Sequence, residues 1–271
     1  MTMTYDAFRE KERDGWNARA PRYESATARA TLQSIPMLLH LAEIRPGARL
    51  LDLGCGPGYL AAAAHAVGAH CTGVDFAPDM LRVARARCPG VEFVAGDAAA
   101  LPFGDAQFDV VAANFVFFHL ADPQAAIAEA ARVLRPGGRF VFSQWLGPDK
   151  SELYRDVIGA VQAHGDLSRA DPAPDAYALS EPETARAALR AAGFVAFDSA
   201  LVQNVLTVEQ DDFFDFFMTF GVRVPAIVEA QTAPVQAAMR AEMNERMATY
   251  RTEHGGYDVP MPSILYAGRK P

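Results

Sequence analysis

The chain contains no apolar run near the ~18 residues that a membrane-crossing helix needs. Its opening, Met-Thr-Met-Thr-Tyr-Asp, lacks the basic and apolar regions of a secretion signal. Cysteine is scarce. Cys55, Cys71 and Cys88 make an odd number without Cys-x-x-Cys spacing. A disulfide framework is therefore excluded, and reduced packing residues of a cytoplasmic protein are expected. No His/Cys/Asp cluster has metal-ligand spacing, so no metal is expected. Positive charge is in deficit: Lys and Arg number 25 against 33 Asp and Glu, a net charge of −8. Such a surface repels phosphate backbones and anionic bilayers, which argues against nucleic-acid and membrane partners. A Gly-Lys-Ser/Thr sequence is also missing, which removes a P-loop.

What is present is punctuation. The apolar run Leu50-Leu-Asp52-Leu53 gives way to glycine at every second position, Gly54, Gly56 and Gly58. That pattern predicts a strand, a tight turn and a helix start, with a ligand lying against bare backbone. The spacing is not the dinucleotide fingerprint, because Tyr59 stands where its third glycine would fall. A second β-rich run, His70-Cys-Thr-Gly-Val-Asp75, ends in an acid. In a βαβ unit that carboxylate faces the glycine turn and can accept bonds from both hydroxyls of a ribose. The third run, Val91-Glu-Phe-Val-Ala95, leads to Gly96-Asp97-Ala98. A carboxylate only accepts, so Asp97 suits the exocyclic amine of adenine, with the Ala98 N–H free for a ring nitrogen. A fourth run, from Phe108, ends at Asn114-Phe115, and Arg132-Val-Leu-Arg-Pro-Gly-Gly138 precedes a fifth.

With these motifs in place, the chain resembles the class I S-adenosylmethionine-dependent methyltransferases, in the small-molecule group that includes the ubiquinone/menaquinone C-methyltransferases. The resemblance is strong over residues 16–145 and returns at Met261–Arg269, which looks like the family's last strand. It implies an α/β fold: a doubly wound, mostly parallel seven-stranded Rossmann-like sheet with a helical cap. Residues 1–145 would form N-terminal helices and the cofactor core. Residues 146–180 and 208–255 would be cap insertions, and 181–207 with 256–271 the rest of one compact unit, monomeric or homodimeric. The implied activity is methyl transfer from S-adenosyl-L-methionine to a small organic acceptor, on oxygen or carbon. The Asn/Asp-Pro-Pro-Tyr/Phe turn of enzymes that methylate exocyclic amines is replaced by Asn114-Phe-Val-Phe117. Two alternatives remain: a binding protein that uses the sulfonium in another way, and, less well supported, an NAD-dependent oxidoreductase.

The resemblance also assigns roles. The backbone of Gly54, Cys55, Gly56 and Gly58 would receive the methionyl end, with Asp52 orienting the turn. Phe76 and Met80 could pack on the adenine, while Asn114 and Phe115 would flank the sulfonium. Tyr23 fits an N-terminal element that folds over the cofactor, and Trp16 reads as its packing anchor. His119 is the candidate general base, since histidine suits deprotonation of a hydroxyl or activated carbon; His254 is a weaker one. His65, His70 and His164 read as surface residues.

Spacing sets the other elements. Helices are predicted from Thr27 to Ile44, from Gly58 with Leu60, Ala64 and Val67 inward, from Pro78 to Cys88, from Pro123, and over 181–192. Phe194–Leu206 reads as strand. Phe213, Phe216, Phe217 and Phe220 share one helix face, with Phe213 and Phe217 chosen to line the acceptor pocket. A long helix is predicted over Ala226–Arg251, with Val228, Val235, Met239, Met243 and Met247 inward.

Overall fold

The computed structural model describes residues 5–271, so most of the polar start, Met1–Thr4, lies outside the described residues. In chain order the elements are α1 (Asp6–Arg19), α2 (Thr27–Thr31), α3 (Ile35–Leu41), β1 (Arg49–Leu53), α4 (Tyr59–Ala66), β2 (His70–Asp75), α5 (Pro78–Arg87), β3 (Glu92–Ala95), β4 (Phe108–Asn114), α6 (Pro123–Val133) and β5 (Leu134–Trp145). They continue with α7 (Glu152–His164), α8 (Pro182–Ala191), β6 (Val195–Val202), β7 (Val205–Val208), α9 (Phe213–Phe220), α10 (Arg223–Glu229), α11 (Ala233–Met247), β8 (Tyr257–Pro260) and β9 (Ser263–Arg269).

Seven strands form one sheet in the order β3-β2-β1-β4-β5-β9-β6. Pairing is parallel from β3 to β5 and antiparallel where β9 enters between β5 and β6. Strands such as β1, with Leu50, Leu51 and Leu53 all fully buried, need cover on both faces, which the crossover helices supply. The strand order reverses between β1 and β4, so the crevice opens at their carboxyl ends. The glycine turn leaves β1 there, and Asn114 ends β4 beside it.

Local signals explain the helix ends. Pro78 opens α5 and Pro123 opens α6, where the Asp122 carboxylate also accepts from the Ala125 N–H at 2.9 Å. Gly58 is the N-cap of α4 in the left-handed region, φ 80°. A Cβ there would meet the Phe93 ring at 2.9 Å and the Ala84 methyl at 3.2 Å. Gly58→Ala should therefore lose about 2–4 kcal/mol, combining left-handed strain with overpacking. A lower midpoint in chemical denaturation checks this; an unchanged midpoint would refute the steric reading.

The cap packs α7, α9, α10 and α11 with a separate two-stranded sheet of β7 and β8 around one apolar cluster. Several boundaries differ from the sequence reading. The 27–44 helix is two short helices joined by a 3₁₀ turn, with Pro36 near the start of α3. The 194–206 strand divides, and its second part leaves the main sheet to pair with β8. The 226–251 helix breaks between α10 and α11, because Pro234 sits in the first turn of α11 and cannot continue a helix into it. Val67 ends α4 exposed rather than inward. No helix among the described residues is long and apolar enough to cross a membrane.

Candidate functional site

A cavity of about 1260 Å³ lies over the carboxyl ends of the central strands, walled by α1, α7 and α10. It exceeds the roughly 300–1,000 Å³ of an ordinary ligand pocket, so it has room for two molecules.

One end is polar. Asp75 is 7% exposed; its Oδ2 accepts from the Gly56 N–H at 2.8 Å and its Oδ1 from the Ala77 N–H at 2.8 Å. Burial raises its pKa and these backbone bonds oppose the rise. With the Phe76 N–H also acting on it, the carboxylate still has acceptor capacity for a ligand hydroxyl. Gly56, at φ 49°, has open space where a side chain would stand, so its backbone is bare toward a ligand. Phe76 and Met80 supply apolar wall. Asp97 accepts from the Ala99 N–H at 2.9 Å through Oδ1, and its Oδ2 pairs with Arg9 of α1 at 3.1 Å. That pair is open to solvent and therefore weak.

The middle is built by Ser143 of β5. Its hydroxyl donates to Asn114 Oδ1 at 2.8 Å and accepts from the Phe115 N–H at 2.9 Å. Asn114 Nδ2 donates to the Thr31 carbonyl at 3.1 Å. Phe115 is held at φ 58°, unusual for a bulky residue, with its ring stacked on Trp145 at 3.6 Å. Strain of this kind persists only where neighbours impose it. Tyr23 lines this region half-buried, and burial pushes its phenol up to about 12.

The other end is apolar, lined by Tyr154, Leu179, Phe217, Phe220 and Ile227. His119 borders it on the 3₁₀ turn after β4, its ring 4.9 Å from Trp16 edge-on and 4.1 Å from Phe118. Gln144 is 1% exposed; Nε2 donates to the Ala176 carbonyl at 2.7 Å, while Oε1 has no partner among the described residues. Arg223 also lines the cavity, donating to the carbonyls of Phe118 and Pro174 at 2.8 and 2.6 Å.

Twelve of the residues selected from sequence line this one cavity: Tyr23, Gly54, Gly56, Asp75, Phe76, Met80, Asp97, Ala98, Asn114, Phe115, His119 and Phe217. Four do not. Asp52, 1% exposed, turns inward, where its Oδ2 accepts from the Ala61 N–H of α4 at 2.9 Å. The Cys55 thiol packs near Gly73 and Phe93, and burial holds its pKa high. Gly58 packs on Phe93, and Phe213 is wholly buried against Tyr257 and Phe217. Trp16, read as a packing anchor, does line the cavity. His254 is exposed, as are His65, His70 and His164. Sequence reasoning missed Gln144, Arg223 and Glu12, the last buried beside His119. A polar residue inside the apolar run of β5 is the one signal that pointed to Gln144.

Comparison with known proteins adds the family. Residues 51–142 match the model of a methyltransferase domain. A demethylmenaquinone methyltransferase from Renibacterium salmoninarum is 34% identical over 136 residues, covering 49% of this chain and 57% of its own length. The chain thus spans little more than half of that relative. A demethylmenaquinone methyltransferase from Thermus thermophilus is 37% identical over 180 residues, which cover 60% of this chain and 82% of the relative. The chain belongs to the class I S-adenosylmethionine-dependent methyltransferases. The solved structure of the YcgJ protein of Bacillus subtilis superposes with a TM-score of 0.62 at 23% identity, covering 88% of this chain and 97% of that one. That likeness concerns the methyltransferase fold alone.

The family's cofactor is S-adenosylmethionine, and the polar end of the cavity fits it. Paired acceptors on Asp75 suit a ribose diol, and Asp97 with the Ala98 N–H suits an adenine edge. Phe76 and Met80 suit its faces, and the bare Gly56 backbone a methionyl group.

Proposed function

We propose that this methyltransferase moves a methyl group from S-adenosylmethionine to the oxygen or carbon of a small organic acceptor. The observation that carries this is a single cavity with two unlike ends. The nucleoside-type acids Asp75 and Asp97 and an aromatic lobe line the same space, with His119 close enough to Asp75 for its charge to be felt there. The cofactor, when bound, supplies an activated methyl group. The chain supplies the rest. Asp75 and Asp97 fix the nucleoside. Asn114 and Phe115, locked by Ser143, set the wall between the two ends. The aromatic lobe excludes water and orients the acceptor. Gln144 Oε1 offers an acceptor with no internal partner to a donor group on the substrate. His119 takes the acceptor's proton. Free cysteines and the acidic surface support a cytoplasmic protein without a nucleic-acid partner, which we take to be a monomer or homodimer.

Calorimetry with S-adenosylhomocysteine and with NADH tests the reading, and a mass-gain screen then finds the acceptor. Binding of the first and not the second is expected; tight NADH binding alone would overturn it. Asp75→Ala should weaken S-adenosylhomocysteine by about 1–3 kcal/mol, the worth of bonds to a charged group. An unchanged affinity would move the ribose elsewhere.

A further inference from the structure

Glu12 of α1 is 1% exposed, although α1 lies at the surface over the cavity. Its Oε2 lies 2.7 Å from His119 Nδ1 and accepts from the Trp16 indole N–H at 3.2 Å. Among the described residues, its only ion-pair partner within 4.0 Å is His119. Arg19 and Arg223 act on Glu12 through their charge from beyond salt-bridge distance, so His119 is the one ionic group in direct contact with a carboxylate that is costly to bury. The two ring nitrogens of His119 are unlike. Nδ1 is sealed from solvent beside the Glu12 carboxylate, close to it but outside hydrogen-bond geometry. Nε2 has no hydrogen-bond partner among the described residues, and His119 lines the cavity. Trp16 and Phe118 hold the ring by its edge and face.

We propose that Glu12 is a positioning residue that keeps hydrogen on His119 Nδ1, so that Nε2 faces the acceptor as a proton-accepting lone pair. This rests on the proposed function and names how its base is prepared. The chemistry balances. The acceptor's O–H or activated C–H proton passes to Nε2. The freed electron pair forms the new bond to the methyl carbon as the carbon–sulfur bond breaks, leaving a neutral thioether. The ring, now carrying both hydrogens and a positive charge, lies against the Glu12 carboxylate. A carboxylate against the far nitrogen favours hydrogen there and so sets which nitrogen is the base. Because Glu12 rides on α1, the base is complete only while α1 is seated. Other contacts seat it: Arg9 with Asp97, Lys11 with Asp171 at 2.5 Å, and Asn17 Oδ1 with the Asp79 N–H at 3.0 Å.

The test is the tautomer of the neutral His119 ring, read by nitrogen NMR on protein labelled with ¹⁵N-histidine and assigned with His119→Asn. The wild type is expected to show hydrogen on Nδ1 and a bare Nε2. Glu12→Leu, with Glu12→Met as a second variant of similar bulk, should reverse the two resonances. A wild-type ring with hydrogen on Nε2, or a tautomer unmoved in a folded variant, overturns the proposal. Calorimetry on the same wild-type sample separates the two levels. Failure to bind S-adenosylhomocysteine sinks the proposed function, whereas an unmoved tautomer with binding intact sinks only the role of Glu12.

Discussion

His119→Ala should lower turnover of the acceptor found in the mass-gain screen by about 10²–10⁴-fold, the usual worth of a positioned general base. In barrier terms this is about 3–5 kcal/mol. The loss should fall on turnover, with S-adenosylhomocysteine binding little changed, since Asp75, Asp97 and the glycine turn are all kept. The competing view is that methyl transfer needs only alignment, because the sulfonium is already a good electrophile. Then the histidine would be wall, and its removal would cost less than tenfold. Rate measurements on an acceptor that ionises readily and on one that does not divide these views. A base matters for the second far more than for the first. Equal, small losses on both would remove His119 from the chemistry.

Asp52→Asn should remove a slope from the pH dependence of stability. Asp52 is sealed beneath the glycine turn, accepting one backbone N–H from Ala61. Burial pushes its pKa up to about 7, the Ala61 N–H opposing and the nearby Asp75 charge adding. In the unfolded chain an aspartate ionises near 3.9. The folded protein therefore holds a proton that the unfolded chain has released between about pH 4 and pH 7. Stability from this group is complete below about pH 4, falls as pH rises toward 7, and is level above that. The full span is of order 4 kcal/mol. Asparagine keeps a neutral oxygen for the Ala61 N–H, so the variant should gain on the wild type as pH rises across this window. Denaturation midpoints of both proteins from about pH 4 to pH 8 check it. Parallel curves would mean that Asp52 ionises normally.

The cofactor half of the molecule was legible because its determinants are local. Glycine at 54 and 56 frees the backbone after an apolar strand, and an acid closes β2 and follows β3. Each signal fits within a dozen residues, and the parallel βαβ rule carries all of them to one edge. Asp52, Cys55 and Gly58 share that stretch, yet they serve the turn and the helix packed behind it. Spacing alone does not separate residues that face a ligand from residues that support them. The acceptor half was less legible because its surfaces are made by tertiary packing. Phe213 and Phe217 lie one turn apart on α9, yet only Phe217 reaches the cavity while Phe213 fills the cap core. Glu12 reads as one more charge on a polar helix; its burial depends on Trp16 and on His119, more than a hundred residues away. The division of 194–206 between two sheets depends on β8 and β9, which arrive at the end of the chain.

The placement of β9 bears on how the molecule is made. It is last in the chain but next to last in the sheet, seated antiparallel between β5 and β6. On a ribosome emitting about 5–20 residues per second, β1 to β5 can pair as they emerge, each beside a strand already present or soon to follow. β6 has no main-sheet neighbour until Ser263–Arg269 leave the exit tunnel. During that interval the nascent chain exposes the two edges that β9 later covers, one on β5 and one on β6. Chains interrupted before Ser263 would keep both edges permanently, and should be found in aggregates rather than as shortened enzymes.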